Sequence, residues 1–388
     1  MKIEKKIIEN NLTISLEGRL DTNTVAELEN EIPDLNGIES IIFDFENLEY
    51  ISSSGLRVML KCKKKVDNIK IINCKPEVFE IFNITGFSEM MKIEKAFRKI
   101  SIENCEKIGE GFFGNVYRID PETIVKVYKI PDCLDMIESE RRLAKKAFVM
   151  GIPTAIPYDI VKVGDLYGTV FELLNAKSIV DFIKNDDNLD VFAKKSAEIL
   201  KHMHNKEVKS GELPSRKEIV INLLKECEEA FPKDTFQKLL ALLETIPEKN
   251  TMLHCDFQVK NVMMQDSELL LIDMDKLSVG HPIFEFASIY ASYYGFSCVD
   301  KFNTDKFLGL PLSTTNKLFD RIFEYYYDDK SMEELEDIKL KLSVISYIII
   351  MNLRTNYSDS TCNTQKEEIE FCKNYLTDIT EKLDTLVY

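Results

Sequence analysis

The stretch Leu253-His254-Cys255-Asp256-Phe257-Gln258-Val259-Lys260-Asn261 constrains this chain more than any other. It has the form H-x-D-x-x-x-x-N. An Asp and an Asn five residues apart in a tight loop can serve one phosphoryl group together. The Asp256 carboxylate takes a proton from an attacking hydroxyl, and the Asn261 amide oxygen holds a divalent cation. Further on, Leu269-Leu270-Leu271-Ile272-Asp273 is an apolar run ending in a carboxylate, the pattern of a buried strand that delivers a metal ligand. Taken singly, the motifs read better as a loop with a helix-capping Asp and an ordinary strand end. In this order they favour phosphoryl transfer, which requires a nucleotide-binding half upstream.

At 388 residues the chain is long for one domain, and two or three are expected. Met1-Lys2-Ile3-Glu4-Lys5-Lys6 is charged and strand-like, unlike a secretory leader. The most apolar helical run, Val344–Met351, is too short to span a bilayer. Nine cysteines are scattered without a C-x-x-C pair, which suits reduced thiols in a cytoplasm and no zinc site. Residues 1–100 carry 15 basic and 17 acidic groups, so the rest holds −14 of the net −16. Such a surface repels nucleic acid and anionic membrane, and it suits a small cationic substrate.

In the first hundred residues, strands and helices alternate, as in a small α/β domain. Asn11–Gly18 alternates apolar and polar, Asp21-Thr22 offers a helix cap, and Ser40–Phe45 and Lys70–Asn73 are further strands. Ser52-Ser53-Ser54-Gly55-Leu56 opens a helix that ends in lysines, which complement its dipole. Glu17-Gly18-Arg19-Leu20-Asp21, Phe43-Asp44-Phe45, Tyr50 to Arg57 and Phe82-Asn83-Ile84-Thr85-Gly86 together resemble a STAS domain, the anti-sigma-factor antagonist family. That resemblance implies a protein partner. It also makes Ser53 the candidate phosphoacceptor, since the family's D-S-S-G places its modified Ser there. This chain has Ser52 in place of the Asp. A Ser at a helix start equally caps free N–H groups without being modified.

After a charged connector at 96–106 comes Lys107-Ile108-Gly109-Glu110-Gly111-Phe112-Phe113-Gly114-Asn115-Val116, a full G-x-G-x-x-G-x-V. Its glycines let the backbone turn sharply and approach phosphates. A dinucleotide fold would place a helix directly after it. Here Val116–Arg118 and Ile124–Tyr128 read as a hairpin turning at Asp120-Pro121-Glu122. Two strands around a Gly-rich turn, with Lys126 on the second, form the arrangement of a kinase nucleotide lobe, where Lys126 would neutralise phosphates. A helix over 133–150 carries Glu138 and Glu140. Glu140 is the expected partner of Lys126, because the run from Glu140 to Pro153 resembles the corresponding helix of aminoglycoside phosphotransferases. Glu172–Leu174, ending a strand from Leu166, would be the hinge whose backbone pairs with adenine.

The strip at 253–273 resembles the aminoglycoside phosphotransferase and choline kinase branch more closely than protein kinases. Cys255 replaces the Arg of H-R-D, Met274-Asp275 follows Asp273, and no A-P-E is present. His281 and Glu285 stand where the family has Asp, so the hydrogen bonds those aspartates make are expected to be weakened. His254 would orient the loop, and His202 and His204, two apart on a helix, do not share a face. Residues 314–327, 332–354 and 367–386 read as helices. The tract Phe323–Asp329 is either a helix end with buried rings or an acceptor site for a cation.

The resemblance implies a multidomain protein of α/β and α+β type. A STAS domain spans 1–97, a nucleotide-binding lobe 98–175 and a mostly helical lobe 176–388, the last two forming a bilobal protein-kinase-like fold. It further implies an ATP- or GTP- and Mg²⁺-dependent kinase acting on a hydroxyl of a small, cationic molecule. Asp256 is then the base and Asn261 and Asp273 the metal ligands. Gly109, Gly111, Gly114, Val116, Lys126, Glu140, Glu172 and Leu174 bind the nucleotide. The alternative is a non-catalytic signalling module that acts by protein binding through its STAS domain.

Overall fold

The computed structural model describes residues 1–111, 114–131, 133–183, 188–356 and 363–388. Phe112 and Phe113 of the glycine-rich segment lie outside them. Contacts divide the chain into two units, Met1–Glu103 with Ile160–Tyr167, and Asn104–Asp159 with Gly168–Tyr388.

The first unit contains β1 (Lys2–Ile8), β2 (Asn11–Leu20), α1 (Val25–Glu31), β3 (Ser40–Ile51), α2 (Ser53–Lys63), β4 (Asn68–Cys74), α3 (Pro76–Ile84), β5 (Lys92–Lys95) and β6 (Arg98–Lys99). Its sheet has the order β1-β2-β3-β4-β5. β1 and β2 are antiparallel, and the remaining neighbours are parallel. The alternation along β2 buries Leu12, Ile14 and Leu16 at 0–1% exposure, against Ile41, Phe43 and Phe45 of β3 in the same core. Each such side chain contributes roughly 1.5–3 kcal/mol. β2 runs past Gly18 because the register shifts there and Gly18 takes φ +94. α1 starts later than Asp21-Thr22 suggested. The Asp21 carboxylate instead accepts the Asn23 N–H at 2.9 Å, an Asx-type turn that holds the chain out of the helix.

The expected boundary at 97/98 falls within this unit. Arg98 and Lys99 pair in parallel with Val161 and Lys162 of β10 (Pro157–Val163), and the Phe97 and Tyr167 rings meet edge to face at 5.3 Å.

The second unit continues with β7 (Glu106–Glu110), β8 (Gly114–Arg118), β9 (Thr123–Tyr128), α4 (Leu134–Val149) and β11 (Leu166–Glu172). Its strands run β11-β9-β8-β7, all antiparallel. Then come β12 (Lys177–Ser178), α5 (Ile179–Ile183), α6 (Leu189–His204), α7 (Arg216–Lys225), α8 (Lys233–Thr245), β13 (Met252–Leu253), β14 (Val262–Gln265), β15 (Glu268–Leu271) and β16 (Ser278–Val279). Four helices follow: α9 (Ile283–Tyr293), α10 (Asn303–Leu308), α11 (Leu312–Tyr326) and α12 (Met332–Asn356); α13 (Asn363–Ile379) comes last. α6, α9, α11 and α12 share one apolar core, in which Phe323 and Tyr327 are buried, so the acidic–aromatic tract is a helix end with buried rings. β10 and α7 were missed in sequence. Among the described residues no helix is long and apolar enough to cross a membrane.

The Ser-Ser-Gly-Leu turn yields a test. A Cβ on Gly55 would lie 2.8 Å from both Ile51 Cγ1 and Leu20 Cγ. Alanine ordinarily gains about 1 kcal/mol over glycine inside a helix. Overpacking a core costs ~1–3 kcal/mol, and with two carbons this close the steric cost wins. Gly55→Ala is expected to destabilise the first unit by ~1–2 kcal/mol in urea denaturation. Amide exchange should quicken within residues 1–103 and 160–167 and not elsewhere. An unchanged or raised urea midpoint would mean that α2 shifts without cost.

Candidate active site

Lys126 lies on β9 directly opposite Val116 of β8, so the two side chains share one face of the sheet. Its ammonium is 2.7 Å from Glu140 Oε1 and 2.9 Å from Asp273 Oδ1. Burial works against that charge, but the Asp273 and Glu140 carboxylates outweigh it and hold the lysine well above its ordinary range. Ile137, Glu140 and Ala144 make one buried stripe along α4, which turns Glu140 and not Glu138 inward. The Tyr128 hydroxyl donates to the second Glu140 oxygen at 2.9 Å.

Gly111 N–H donates to Gly114 O at 2.8 Å across the turn between β7 and β8. A Cβ on Gly114 would sit 2.5 Å from Val127 O, backbone that cannot move aside. Gly109 and Gly111 would meet only ordinary contacts, at 3.4 and 3.6 Å, so the present fold does not require glycine at either. At the other end of the sheet, the Leu173 N–H donates to Glu122 O at 2.7 Å, and Glu172 Oε2 accepts the Ile156 N–H at 3.3 Å. Glu172 and Leu174 also line a hollow with Phe148, Ile152, Thr154 and Leu270; neither Lys126 nor Val116 lines it.

The catalytic-type loop leaves β13 and returns into β14. Cys255 takes φ +60, a left-handed conformation that strains a residue with a Cβ. Glu285 holds it there. This fully buried carboxylate accepts the N–H of His254 at 2.6 Å and of Cys255 at 3.0 and 3.1 Å. Burial alone would raise the Glu285 carboxyl. His204, 3.7 Å away, and the Cys255 N–H reverse this and hold it below its usual range. The expected weakening is therefore corrected: the longer Glu side chain reaches both N–H groups. The fully buried His254 accepts the Asp256 N–H through Nδ1 at 3.2 Å, with Nε2 facing Ile272 O at 3.2 Å. Each nitrogen is engaged, so His254 fixes the loop and no base is available there. His281 is also corrected, since its Nδ1 accepts the Ile283 N–H at the start of α9.

Asn261 Nδ2 donates to Asp256 Oδ2 at 2.9 Å and to Asp256 O at 3.0 Å. This turns the Asn261 oxygen away from Asp256, where it remains open to a cation. Asp273, also left-handed at φ +65, follows β15 and projects beside Asp256 and Asp275. One carboxylate oxygen from each of Asp256, Asp273 and Asp275 falls within 4.8 Å of the others. Among the described residues, no other set of three His, Cys, Asp or Glu does so. Asp275 Oδ1 is shielded from solvent and has no partner. Burial and the neighbouring Asp273 charge push the Asp275 carboxyl up to about 7. An orphaned buried carboxylate oxygen among three carboxylates fits a hard divalent cation. Sequence reading missed Asp275 and also Lys276, whose ammonium is 3.2 Å from Asp256 Oδ1. Both lie on a short turn with no periodic pattern, and only their distance from Asp273 hinted at them.

In the first unit, Ser52 caps α2 by accepting the Gly55 N–H at 3.4 Å. Ser53 is the exposed first residue of that helix, so the capping role falls to Ser52 and leaves the Ser53 side chain at the surface.

A strand lysine clamped by a helix glutamate, facing an Asp-and-Asn loop and a carboxylate cluster, defines a phosphotransferase of the protein-kinase-like kind. The chain belongs to the phosphotransferase enzyme family, whose model matches residues 104–307. It carries a STAS domain matched over residues 2–100. The first part is 31% identical over 99 residues to the BtrV protein of Bordetella bronchiseptica (strain RB50), which bears the name of an anti-sigma factor antagonist. That match covers 24% of this chain and 85% of the relative. Among solved structures, the apo form of a thermostable mutant of aminoglycoside phosphotransferase APH(4)-Ia has TM-score 0.50 and 12% identity, covering 72% of this chain and 97% of that one. A ternary complex of such a mutant with AMP-PNP and hygromycin B has TM-score 0.51 and 12% identity, covering 72% and 94%. These structures establish the shared fold.

His281 makes the second unit acid-sensitive. Burial, with Lys249 and His204 nearby, lowers it from 6.5 to about 4. The unfolded chain therefore takes up the proton first. The stability His281 contributes is complete above pH 6.5 and is lost as pH falls toward 4. The whole effect is on the order of 3 kcal/mol. His281→Asn keeps an acceptor for the Ile283 N–H without titrating, so its urea midpoint should fall less than that of the wild type over this range. Parallel midpoint profiles would remove His281 as the cause.

Proposed function

We propose that the chain transfers the terminal phosphoryl group of ATP or GTP to a hydroxyl of a small molecule. The observation that carries this reading is the meeting of Lys126, Glu140, Asp256, Asn261, Asp273 and Asp275 in one site. Lys126, fixed by Glu140, neutralises the nucleotide phosphates, while the backbone at Gly109, Gly111 and Gly114 covers them. Val116 contacts the base, and backbone groups at Glu172 and Leu174 pair with it. The Leu174 N–H has no partner among the described residues. Asp273 and Asn261, with Asp275, would hold Mg²⁺, which offsets the phosphate charge when bound. Asp256 accepts the acceptor's proton, with its carboxylate oriented by Asn261. The complex of APH(4)-Ia with AMP-PNP and hygromycin B supports a nucleotide and a small molecule as substrates. The free thiols among the described residues agree with a cytoplasmic setting.

Calorimetry with Mg²⁺ and ATP or GTP tests this directly. Asp256→Asn is expected to keep nucleotide affinity while turnover falls by ~10²–10⁴. Asp273→Asn is expected to lose the Mg²⁺-dependent part of binding. A wild type with no Mg²⁺-dependent nucleotide binding would instead support the non-catalytic signalling reading.

The kinship with an anti-sigma factor antagonist favours a second element of function. The STAS domain engages a protein partner, and Ser53, exposed at the N-terminus of α2, is the candidate phosphoacceptor. Phosphate there would be tolerated, because the helix dipole and free N–H groups favour negative charge. We favour docking of the STAS domain on a partner over self-phosphorylation of Ser53. After incubation with Mg²⁺-ATP, intact mass should show no added phosphate on the wild type. One phosphate on wild type, absent from both Ser53→Ala and Asp256→Asn, would reverse that preference.

A further inference from the structure

Two cations beside the catalytic loop have no task in the scheme above. Arg216 opens α7 and is 6% exposed. Ser215 bridges Val279, Pro214 O accepts the Val279 N–H at 2.9 Å, and Val279 also pairs with Met252. A Cβ on Gly280 would lie 3.3 Å from Arg216 Cβ. Arg216 is thus held against both the strand that leads to Asp256 and the segment that follows Asp273. Its Nη2 makes one long hydrogen bond, 3.4 Å to Ser288 Oγ. Its Nε is shielded from solvent without a partner. Among the described residues no carboxylate lies within 4.0 Å of it. Next to it, Lys217 is nearly as buried, at 8% exposure. Its ammonium meets two carbonyl oxygens at 3.1 and 2.9 Å and two carboxylates at 3.3 and 3.5 Å. The fold compensates one buried cation fully and leaves its neighbour short of an anion, which is costly unless something other than protein supplies it. Lys276 adds a second positive charge, 45% exposed and 3.2 Å from Asp256 Oδ1.

We propose that the acceptor carries, besides the hydroxyl that is phosphorylated, an oxyanion (phosphate or carboxylate) bound by Arg216 and Lys276. This rests on the phosphotransferase reading. The nucleotide phosphates have their own lysine in Lys126, which pairs with Glu140 and Asp273 and not with Asp256. A guanidinium presents paired N–H groups that match an oxyanion. When the oxyanion engages Lys276, Asp256 Oδ1 is released to take the hydroxyl proton. The acceptor oxygen then bonds to the terminal phosphorus, the phosphoanhydride P–O bond breaks, and the nucleoside diphosphate leaves with its electron pair.

Inorganic phosphate is the probe on the full chain, with melting temperature as the readout. Phosphate is expected to raise the melting temperature of wild type and of Lys126→Met, but not of Arg216→Met. In the kinetic arm, ADP release is measured with a neutral sugar, its phosphate ester, its uronic acid and its amino-sugar counterpart. The phosphate or the carboxylate form should be the best acceptor, and which of them turns over identifies the anion. Arg216→Met should raise the KM for that acceptor at least about tenfold while the KM for ATP holds. If Arg216→Met does not fold, Lys276→Met carries the same measurements at a half-exposed position. Equal phosphate shifts in wild type and Arg216→Met, meaning an adventitious ion only, would overturn the proposal. So would preference for the amino sugar. Blank Mg²⁺-nucleotide calorimetry alongside a phosphate shift that depends on Arg216 would fail the phosphotransferase reading and leave the anion site standing.

Discussion

The site depends on one lysine with two carboxylates. Lys126 draws β9, α4 and the turn after β15 to a single point through contacts of 2.7 and 2.9 Å. Removing either carboxylate would leave a largely buried ammonium with only one of its two counter-charges. The Tyr128 hydroxyl on Glu140 completes the set, since it occupies the glutamate oxygen that Lys126 does not use. Cavities and hydrophobic burial set how strongly this unit folds. The ion pairs set where its chemistry sits.

The loop carrying Asp256 is organised differently. Two residues next to the chemistry, Cys255 and Asp273, occupy the left-handed region. Such strain persists only when the surroundings over-determine it. For Cys255 the surroundings are Glu285, which takes two consecutive N–H groups, and Ser278, whose hydroxyl lies 3.4 Å from the Cys255 sulfur. For Asp273 they are Lys126 and the strand pairing of β14 with β15. The geometry of the loop is thus held by groups packed against its backbone and its Cys255 side chain. His281 and Glu285, which depart from the family pattern, each accept backbone N–H groups here.

Much of this was legible in the sequence, for physical reasons that vary by element. Two-residue alternation marked β2, and helical spacing marked α4, α6, α11 and α12, because their buried faces are continuous. In the glycine-rich turn the fold itself demands glycine at Gly114, where a Cβ would sit 2.5 Å from Val127 O, and the H-x-D-x-x-x-x-N strip stood out by its spacing. The missed features are nonlocal. β10 was passed over, and its residues 161 and 162 pair with Arg98 and Lys99, far away in sequence. Asp275, Lys276 and Arg216 sit on a short turn and on a helix whose pattern is weak, and their significance lies in what surrounds them. The charged connector at 96–106 read as strand-like, and Arg98–Lys99 is a strand, but its partner at Val161 and Lys162 is too far away in sequence to be read from it.

Charge illustrates the limit of composition most directly. A balance of −14 beyond the first hundred residues suggested a cationic acceptor. Yet charges separated by more than a Debye length, ~8 Å at physiological salt, barely act on one another through solvent. Most of the acidic groups are exposed and distant, and many are already paired, as Asp190 is with Arg321 and Asp300 with Lys306. What a small molecule meets beside Asp256 is set by the nearest few groups in a partly desolvated pocket, where each charge acts far more strongly. On the metal side those groups are Asp273 and Asp275, which a divalent cation would neutralise. Against Asp256 itself lies the Lys276 ammonium at 3.2 Å, and Arg216, placed by the proposal at the same site, has no carboxylate within 4.0 Å among the described residues. Under the proposed anion site, the acceptor's chemistry would follow the groups nearest Asp256 and not the total charge.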